Sequence, residues 1–252
     1  MNKYTKNLNR IEFVVTNGCS GHCKHCSQGD HNDKIEHIDT DVAVRLIEDV
    51  CRNYSISSLM TFGGEPLLYP ETVCKIHKTA YNCNIPTREL ITNGYFSKAE
   101  SRIKEVAYEL KISGVTKILL SVDAFHQETI PIEPVEYFAG CIIENGIYTE
   151  VHPAWLVSKD ADNPYNVKTK ELLNIFENMG IEVSSGNVII PTGNAKKYFS
   201  EFYDDSNEIK SPYEQNPYDI TAISINHNGD ILDYNVYKNN IVDILNSYSP
   251  NK

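Results

Sequence analysis

The chain has 252 residues, 41% apolar and 23% charged, with a net charge of −11. That length is enough for one large core or two modest domains. The acidic balance argues against a nucleic-acid footprint, which needs basic patches, and against docking on an anionic membrane.

The run Met1 to Arg10 is polar and basic and lacks the apolar stretch of a signal peptide, and no later segment reaches the roughly 18 apolar residues of a membrane helix. A cytoplasmic location is therefore expected. In that compartment the seven cysteines are expected as ligands or buried thiols, not as disulfides.

In chain order, Ile11 to Val15 predicts a first strand, closed by Thr16-Asn17-Gly18. Asp39 and Thr40 cap a predicted helix over 41–54, with Val42, Leu46 and Val50 on one face. Strands follow at 58–62, 88–92 and 117–122, separated by helices at 70–81 and around Ile103, Val106, Ala107 and Leu110. Val135, Phe138, Ala139, Ile142 and Ile143 predict a helix, Tyr148 to Val157 a fifth strand, and Leu172, Ile175, Phe176 and Met179 another helix. Ile181 to Ile190 reads as a sixth strand, with Gly186 as a point of interruption.

Six strand–helix alternations imply an α/β fold with parallel strands and crossover helices. Full closure takes eight strands, so six predict an open or partial (β/α)6 barrel, here over residues 1–195. Residues 196–219 are acidic and polar, with Tyr198, Phe199, Phe202, Tyr203, Tyr213 and Tyr218 scattered through them, and read as a loop or lid. Residues 220–252 read as a short extension. Thr221 to Ile225 and Ile231 to Tyr234 flank the hairpin signal Asn228-Gly229, and a helix over 239–246 follows.

Active sites of parallel sheets gather at the C-terminal strand ends. Four unusual segments fall there: the cysteine loop after strand one, Gly63-Gly64-Glu65-Pro66 after strand two, Thr92-Asn93-Gly94 after strand three, and Ser121-Val122-Asp123 at strand four. Cys19, Cys23 and Cys26 stand in a C-x₃-C-x₂-C spacing. Three thiolates can hold an iron–sulfur cube and leave its fourth iron open for chemistry. The same cysteines with His22, His25 or His31 could instead hold structural zinc. Gly63 and Gly64 allow close backbone approach to a ligand, and Glu65 offers a carboxylate to an amino group. The plainer alternative is a simple turn with a solvated Glu.

With these four segments in place the chain resembles the radical S-adenosylmethionine (SAM) superfamily over about residues 10 to 195. The resemblance implies a partial (β/α)6 barrel and one [4Fe–4S] cluster ligated by Cys19, Cys23 and Cys26. It implies SAM chelating the open iron through its amino and carboxylate groups. Gly63, Gly64 and Glu65 then correspond to the binders of the methionine amino group, and His25 to an adenine contact. Asn93, Ser121 and Asp123 correspond to polar groups reaching the SAM carboxylate and ribose, and the Val188 to Gly193 stretch to a last strand whose backbone contacts adenine. The implied activity is one-electron cleavage of SAM to methionine and a 5′-deoxyadenosyl radical that abstracts a hydrogen atom from a peptide or small-molecule substrate. A flavodoxin or ferredoxin is the implied electron donor.

His126, just past strand four, is a candidate to bind substrate or move a proton; the alternative is a satisfied surface histidine. His152 and Trp155 are candidates to face the barrel interior. The C-terminal hairpin resembles the start of a SPASM/twitch-type accessory domain, but no cysteine follows Cys141, so it lacks the ligands of a second cluster. Two other readings remain open at this point. One is a SAM- or cluster-binding partner or sensor without turnover; the other is a structural zinc protein.

Overall fold

The computed structural model describes residues 2–30, 36–203 and 214–250. Strand β1 (Arg10–Val14) leads into the cysteine loop and helix α1 (Thr40–Asn53). The alternation continues through β2 (Ser58–Phe62), α2 (Pro70–Asn82), β3 (Thr87–Thr92), α3 (Glu100–Ile112), β4 (Lys117–Leu120), α4 (Ile132–Glu144) and β5 (Tyr148–Val151). After β6 (Ala154–Trp155) come α5 (Pro164–Asn178), β7 (Glu182–Val183), β8 (Asn187–Val188) and α6 (Gly193–Tyr198). The described chain ends with β9 (Ala222–Ile225), β10 (Asp230–Ile231), β11 (Tyr234–Asn235) and α7 (Ile241–Ser247). Seven strands pair in parallel in the order β7-β5-β4-β3-β2-β1-β9.

Local chemistry sets the helix starts. The Asp39 carboxylate accepts the Val42 N–H at 2.9 Å and caps α1. Helices α2 and α5 open on Pro70 and Pro164, where a missing N–H costs nothing. No helix among the described residues is long and apolar enough to cross a membrane.

Side chains alternate across a strand, so the sheet has two distinct faces. Ile11, Phe13, Leu59, Leu90, Ile118, Leu120 and Val151 join the buried residues of the helices in one core cluster. The opposite face carries a charged rung, because Glu12 pairs in register with Met60, Met60 with Glu89 and Glu89 with Lys117. Arg10 donates from Nε to Glu12 (2.6 Å) and from Nη1 to Glu89 (2.9 Å), and Lys117 pairs with Glu150 at 2.9 Å. This floor crosses the strands near their middle, short of the C-terminal ends where the motifs gather.

The strand pattern departs from expectation in three places. The stretch 148–157 is two strands, because Pro153 lacks the N–H a continuing ladder needs. The stretch 181–190 is also two short strands, broken where the Gly186 backbone packs on the Pro153 carbonyl. Ala222–Ile225 does not form a hairpin with the Ile231 segment. It runs parallel to β1 as an edge strand of the main sheet, and the antiparallel ribbon is Asp230–Ile231 with Tyr234–Asn235. Ile223 and Ile225 share the core cluster with Ile241, Ile244 and Leu245 of α7, so this segment is continuous with the core.

The expected loop or lid over 196–219 is partly a wall. Phe199, Phe202 and Tyr203 pack with Phe125, Leu156 and Tyr165 in a second apolar cluster. Residues 204–213, including Tyr213, lie outside the described residues, as does His31.

His77 of α2 gives the fold a pH signature. Its imidazole is fully buried, with Nε2 2.9 Å from Thr61 Oγ1 and no protein partner for Nδ1. Burial, with Arg88 nearby, pushes its pKa down to about 3. The unfolded chain takes a proton near pH 6.5 and the fold resists it, so stability falls as pH drops below that value, by about 1.4 kcal/mol per unit. Urea unfolding at pH 7 and pH 4.5 is expected to show the wild type losing about 2–3 kcal/mol more than His77→Gln between the two conditions. Parallel losses would contradict this account.

Candidate active site

The cysteine loop is seated by the next strand end. Gly64 N–H donates to Thr16 O and Glu65 N–H to Gly18 O, each at 2.8 Å. A Cβ on Gly63 would overlap Thr16 O, and one on Gly64 would overlap Gly18 O. The two glycines therefore let two rims meet backbone to backbone. The Gly64 and Glu65 N–H groups are thus engaged by the loop.

Cys23 is buried, and Cys19 and Cys26 are half-buried. Burial pushes the Cys19 thiol up to about 12 and raises Cys23 and Cys26 as well. Mutual repulsion adds to this, from Cys26 on Cys19 and from both on Cys23. Gly21 N–H and the Asn93 amide donate to Cys19 Sγ at 3.4 and 3.5 Å and soften that charge. Three thiols gathered on one loop, with the carboxylates of Glu65 and Asp123 opposing their ionisation, fit a cationic centre.

The spread of the sulfurs separates the two metal readings. Tetrahedral zinc with Zn–S near 2.3 Å holds its sulfurs about 3.8 Å apart. Among the described residues, the group of three His, Cys, Asp or Glu with donor atoms all within 4.8 Å is His25, Asp123 and His126, not the cysteines. The three cysteines are not in that group, so they do not stand here at the close spacing of one zinc site, and the donor set accommodates an iron–sulfur centre. His22 is exposed, and its backbone N–H donates to Thr129 Oγ1 at 3.0 Å.

Glu65 is the first of two buried carboxylate hubs. It accepts from Leu67 N–H (2.8 Å), Thr92 Oγ1–H (2.7 Å) and Asn93 N–H (2.8 Å). Burial raises its pKa to about 7 against the pull of those three donors. Asn93 reaches on to the cysteine loop, with Nδ2 3.3 Å from Ser20 Oγ. Ser121 is half-buried at the end of β4, and its N–H donates to Thr92 O at 2.8 Å.

Asp123 is the second hub. Its Oδ1 accepts from Phe125 N–H (3.0 Å) and His126 N–H (2.9 Å), and its Oδ2 from His126 Nδ1 (2.8 Å) and Ala154 N–H (2.9 Å). Burial opposes its charge, but His126 and the backbone donors hold the carboxyl well below the usual range. A carboxylate only accepts, so His126 Nδ1 carries the proton. The His126 ring lies 4.6 Å from that of His25 and the His25 ring 5.1 Å from Phe125. Burial and His126 push the His25 pKa down to about 4. His152 is half-buried, with Nδ1 2.8 Å from Ser184 Oγ. Trp155 does not line the site: it is buried in the main core and donates from Nε1 to Ser185 O at 2.9 Å.

The predicted positions thus fall into two connected groups. Cys19, Cys23, Cys26, Gly63, Gly64, Glu65 and Asn93 form one; His25, Asp123 and His126 form the other, with Ser121 between them. Sequence reasoning had Thr92 in a rim segment but not its hydroxyl bond to Glu65, and it passed over Thr129, which holds the loop at His22. Neither carries a spacing signal.

A family model described as the radical SAM superfamily matches residues 13–205. The probable GTP 3′,8-cyclase of Saccharolobus islandicus (strain L.S.2.15 / Lassen #1) is 25% identical over 221 residues, covering 85% of this chain and 68% of that protein. Native anSMEcpe with bound AdoMet shares the fold at a TM-score of 0.62 and 14% identity, over 97% of this chain and 81% of that one. Streptococcus suis SuiB bound to precursor peptide SuiA does so at a TM-score of 0.59 and 13% identity, over 96% and 65%.

Proposed function

We propose that this chain, which belongs to the radical SAM superfamily, uses its rim to position SAM beside an iron–sulfur cluster and act on a peptide or small molecule. Membership makes it an enzyme with a [4Fe–4S] cluster and SAM as cofactors. In our reading Cys19, Cys23 and Cys26 hold the cluster. Gly63 to Glu65, Asn93, Ser121, Asp123 and His25 form the cradle for SAM. Once bound, these cofactors supply one-electron cleavage of SAM to methionine and a 5′-deoxyadenosyl radical, which takes a hydrogen atom from substrate.

The chain's own residues orient and shield. Gly21 N–H and Asn93 damp charge at Cys19, Asp123 fixes the His126 ring, and the Phe125–Tyr165–Phe199 cluster keeps water from that side. The observation that carries the reading is the set of three thiols gathered on one loop, which Gly64 and Glu65 seat against the next strand end.

Arginine placement bears on the substrate. The chain has five arginines. Arg10 lies in the charged floor, Arg45 and Arg52 on α1, and Arg102 on α3 with Glu71. Arg88 is held by the Ile85 and Gly114 carbonyls at the start of β3. None stands at the rim to clamp a triphosphate in the bidentate manner. In our reading this favours a peptide, as in the name of the SuiB complex, over the GTP of the cyclase's name. A flavodoxin or ferredoxin remains our candidate electron donor.

The test is anaerobic reconstitution with iron, sulfide, dithionite and SAM. Wild type is expected to form 5′-deoxyadenosine, the variant with Cys19, Cys23 and Cys26 all changed to Ala none, and added GTP is expected to remain unconsumed. Bound zinc in place of iron, or equal product from both proteins, would overturn the proposal.

A further inference from the structure

The cysteine loop is gripped a second time, by a segment far away in sequence. At the start of α6, Gly193 adopts a φ of +54° and packs on the backbone just after the third cysteine. A Cβ there would stand 2.6 Å from Cys26 O and 2.7 Å from Ser27 C, and would overlap Ser27 O. These are backbone atoms of a tight turn, closed by Gly29 N–H donating to Cys26 O at 3.2 Å, so they have little room to yield. Asn194 N–H donates to the same Cys26 oxygen at 2.9 Å. The strap that follows is anchored on the other side of the site. Ala195 and Phe199 pack with Phe125 and Leu156, and Tyr203 Oη–H donates to Ile189 O at 2.7 Å.

We propose that the Gly193–Asn194 turn is the positioning element for the third cluster cysteine, fixing the Cys26 backbone so that its sulfur meets the cluster at the right place. The inference rests on reading Cys26 as a cluster ligand. It assigns a role to residues outside the four rim motifs. Gly63 and Gly64 set the entry of the loop at Thr16 and Gly18; Gly193 and Asn194 set its exit at Cys26 and Ser27. An alanine at 193 meets both a left-handed φ and an occupied space, and must displace the Cys26–Ser27 peptide or undock α6.

The experiment compares wild type, Gly193→Ala, Asn194→Pro and Lys196→Ala after anaerobic reconstitution. Asn194→Pro deletes the donor to Cys26 at a first-turn position that proline tolerates. Lys196→Ala changes an exposed residue of the same helix. Iron per chain, the electron paramagnetic resonance signal of the dithionite-reduced cluster and the rate of iron loss to a chelator are measured beside the thermal unfolding midpoint. We expect iron occupancy of Gly193→Ala and Asn194→Pro to fall at least two-fold, iron loss to accelerate several-fold and the resonance signal to change. Lys196→Ala should match wild type. If Gly193→Ala does not fold, Asn194→Pro decides. Folded Gly193→Ala or Asn194→Pro protein with full iron and an unaltered signal overturns the inference. A folded wild type that takes up no iron refutes the cluster reading beneath it, a separate result.

Discussion

Replacing Glu65 by alanine is expected to cost about 3–5 kcal/mol of folding stability, the range seen when one member of a buried charged network is removed. Three donors converge on this carboxylate: the Leu67 and Asn93 N–H groups and the Thr92 hydroxyl. Alanine leaves all three buried, and each unmade bond costs about 1–3 kcal/mol before water or relaxation recovers part of it. The loss is large against a typical total of about 5–15 kcal/mol. It also strikes the site, because Asn93 is the bridge from β3 to Ser20 and Cys19. Glu65→Gln keeps volume and one acceptor but turns an amide N–H₂ toward a donor, so an intermediate loss is expected. Urea unfolding followed by circular dichroism measures both. An alanine variant within 1 kcal/mol of wild type would show that the donors find other partners.

Much of the frame was legible because its signals are local. Apolar runs of strand length alternate with helical faces, and Asp39 and Pro70 mark helix starts by their own chemistry. Where the reading failed, the deciding partner was remote. Ala222–Ile225 has the composition of any short strand; that it lies parallel to β1 depends on a core shared with Ile241 and Leu245. The rung Glu12, Glu89 and Lys117 escaped notice, although each lies in a predicted strand, because only the register between strands brings them into line.

The site divides along the same line. Cysteine spacing marks a candidate ligand set, since chemistry and sequence separation together restrict what three thiols can hold. It does not reveal that Gly64 exists to admit the Gly18 carbonyl, because a glycine needed for packing and one needed for a ligand look alike in sequence. Ser121-Val122-Asp123 likewise marks a strand end without revealing that all four donors to Asp123 come from the protein.

That closed hub yields the second large effect. Asp123→Ala strips the acceptor from three backbone N–H groups and from His126 Nδ1, so a loss of about 3–5 kcal/mol is expected, again read by urea unfolding. Asp123→Asn separates the fold from the chemistry. With its oxygen toward the Phe125 and His126 N–H groups, the amide nitrogen faces His126 Nδ1 and the Ala154 N–H. The imidazole can accept from that nitrogen by moving its proton from Nδ1 to Nε2, which leaves the Ala154 donor as the main unmade bond, at about 1–3 kcal/mol. The nitrogen that His126 turns away from Asp123 then changes from acceptor to donor. Asp123→Asn is therefore expected to be more stable than Asp123→Ala by at least 1 kcal/mol, and the ¹⁵N resonances of the His126 ring should exchange their protonated and bare positions. An unchanged tautomer, or an alanine variant as stable as wild type, would mean that Asp123 does not govern the ring. If the tautomer switches and 5′-deoxyadenosine formation persists, His126 serves the substrate and not the cleavage of SAM; if both are lost together, the ring belongs to the SAM cradle.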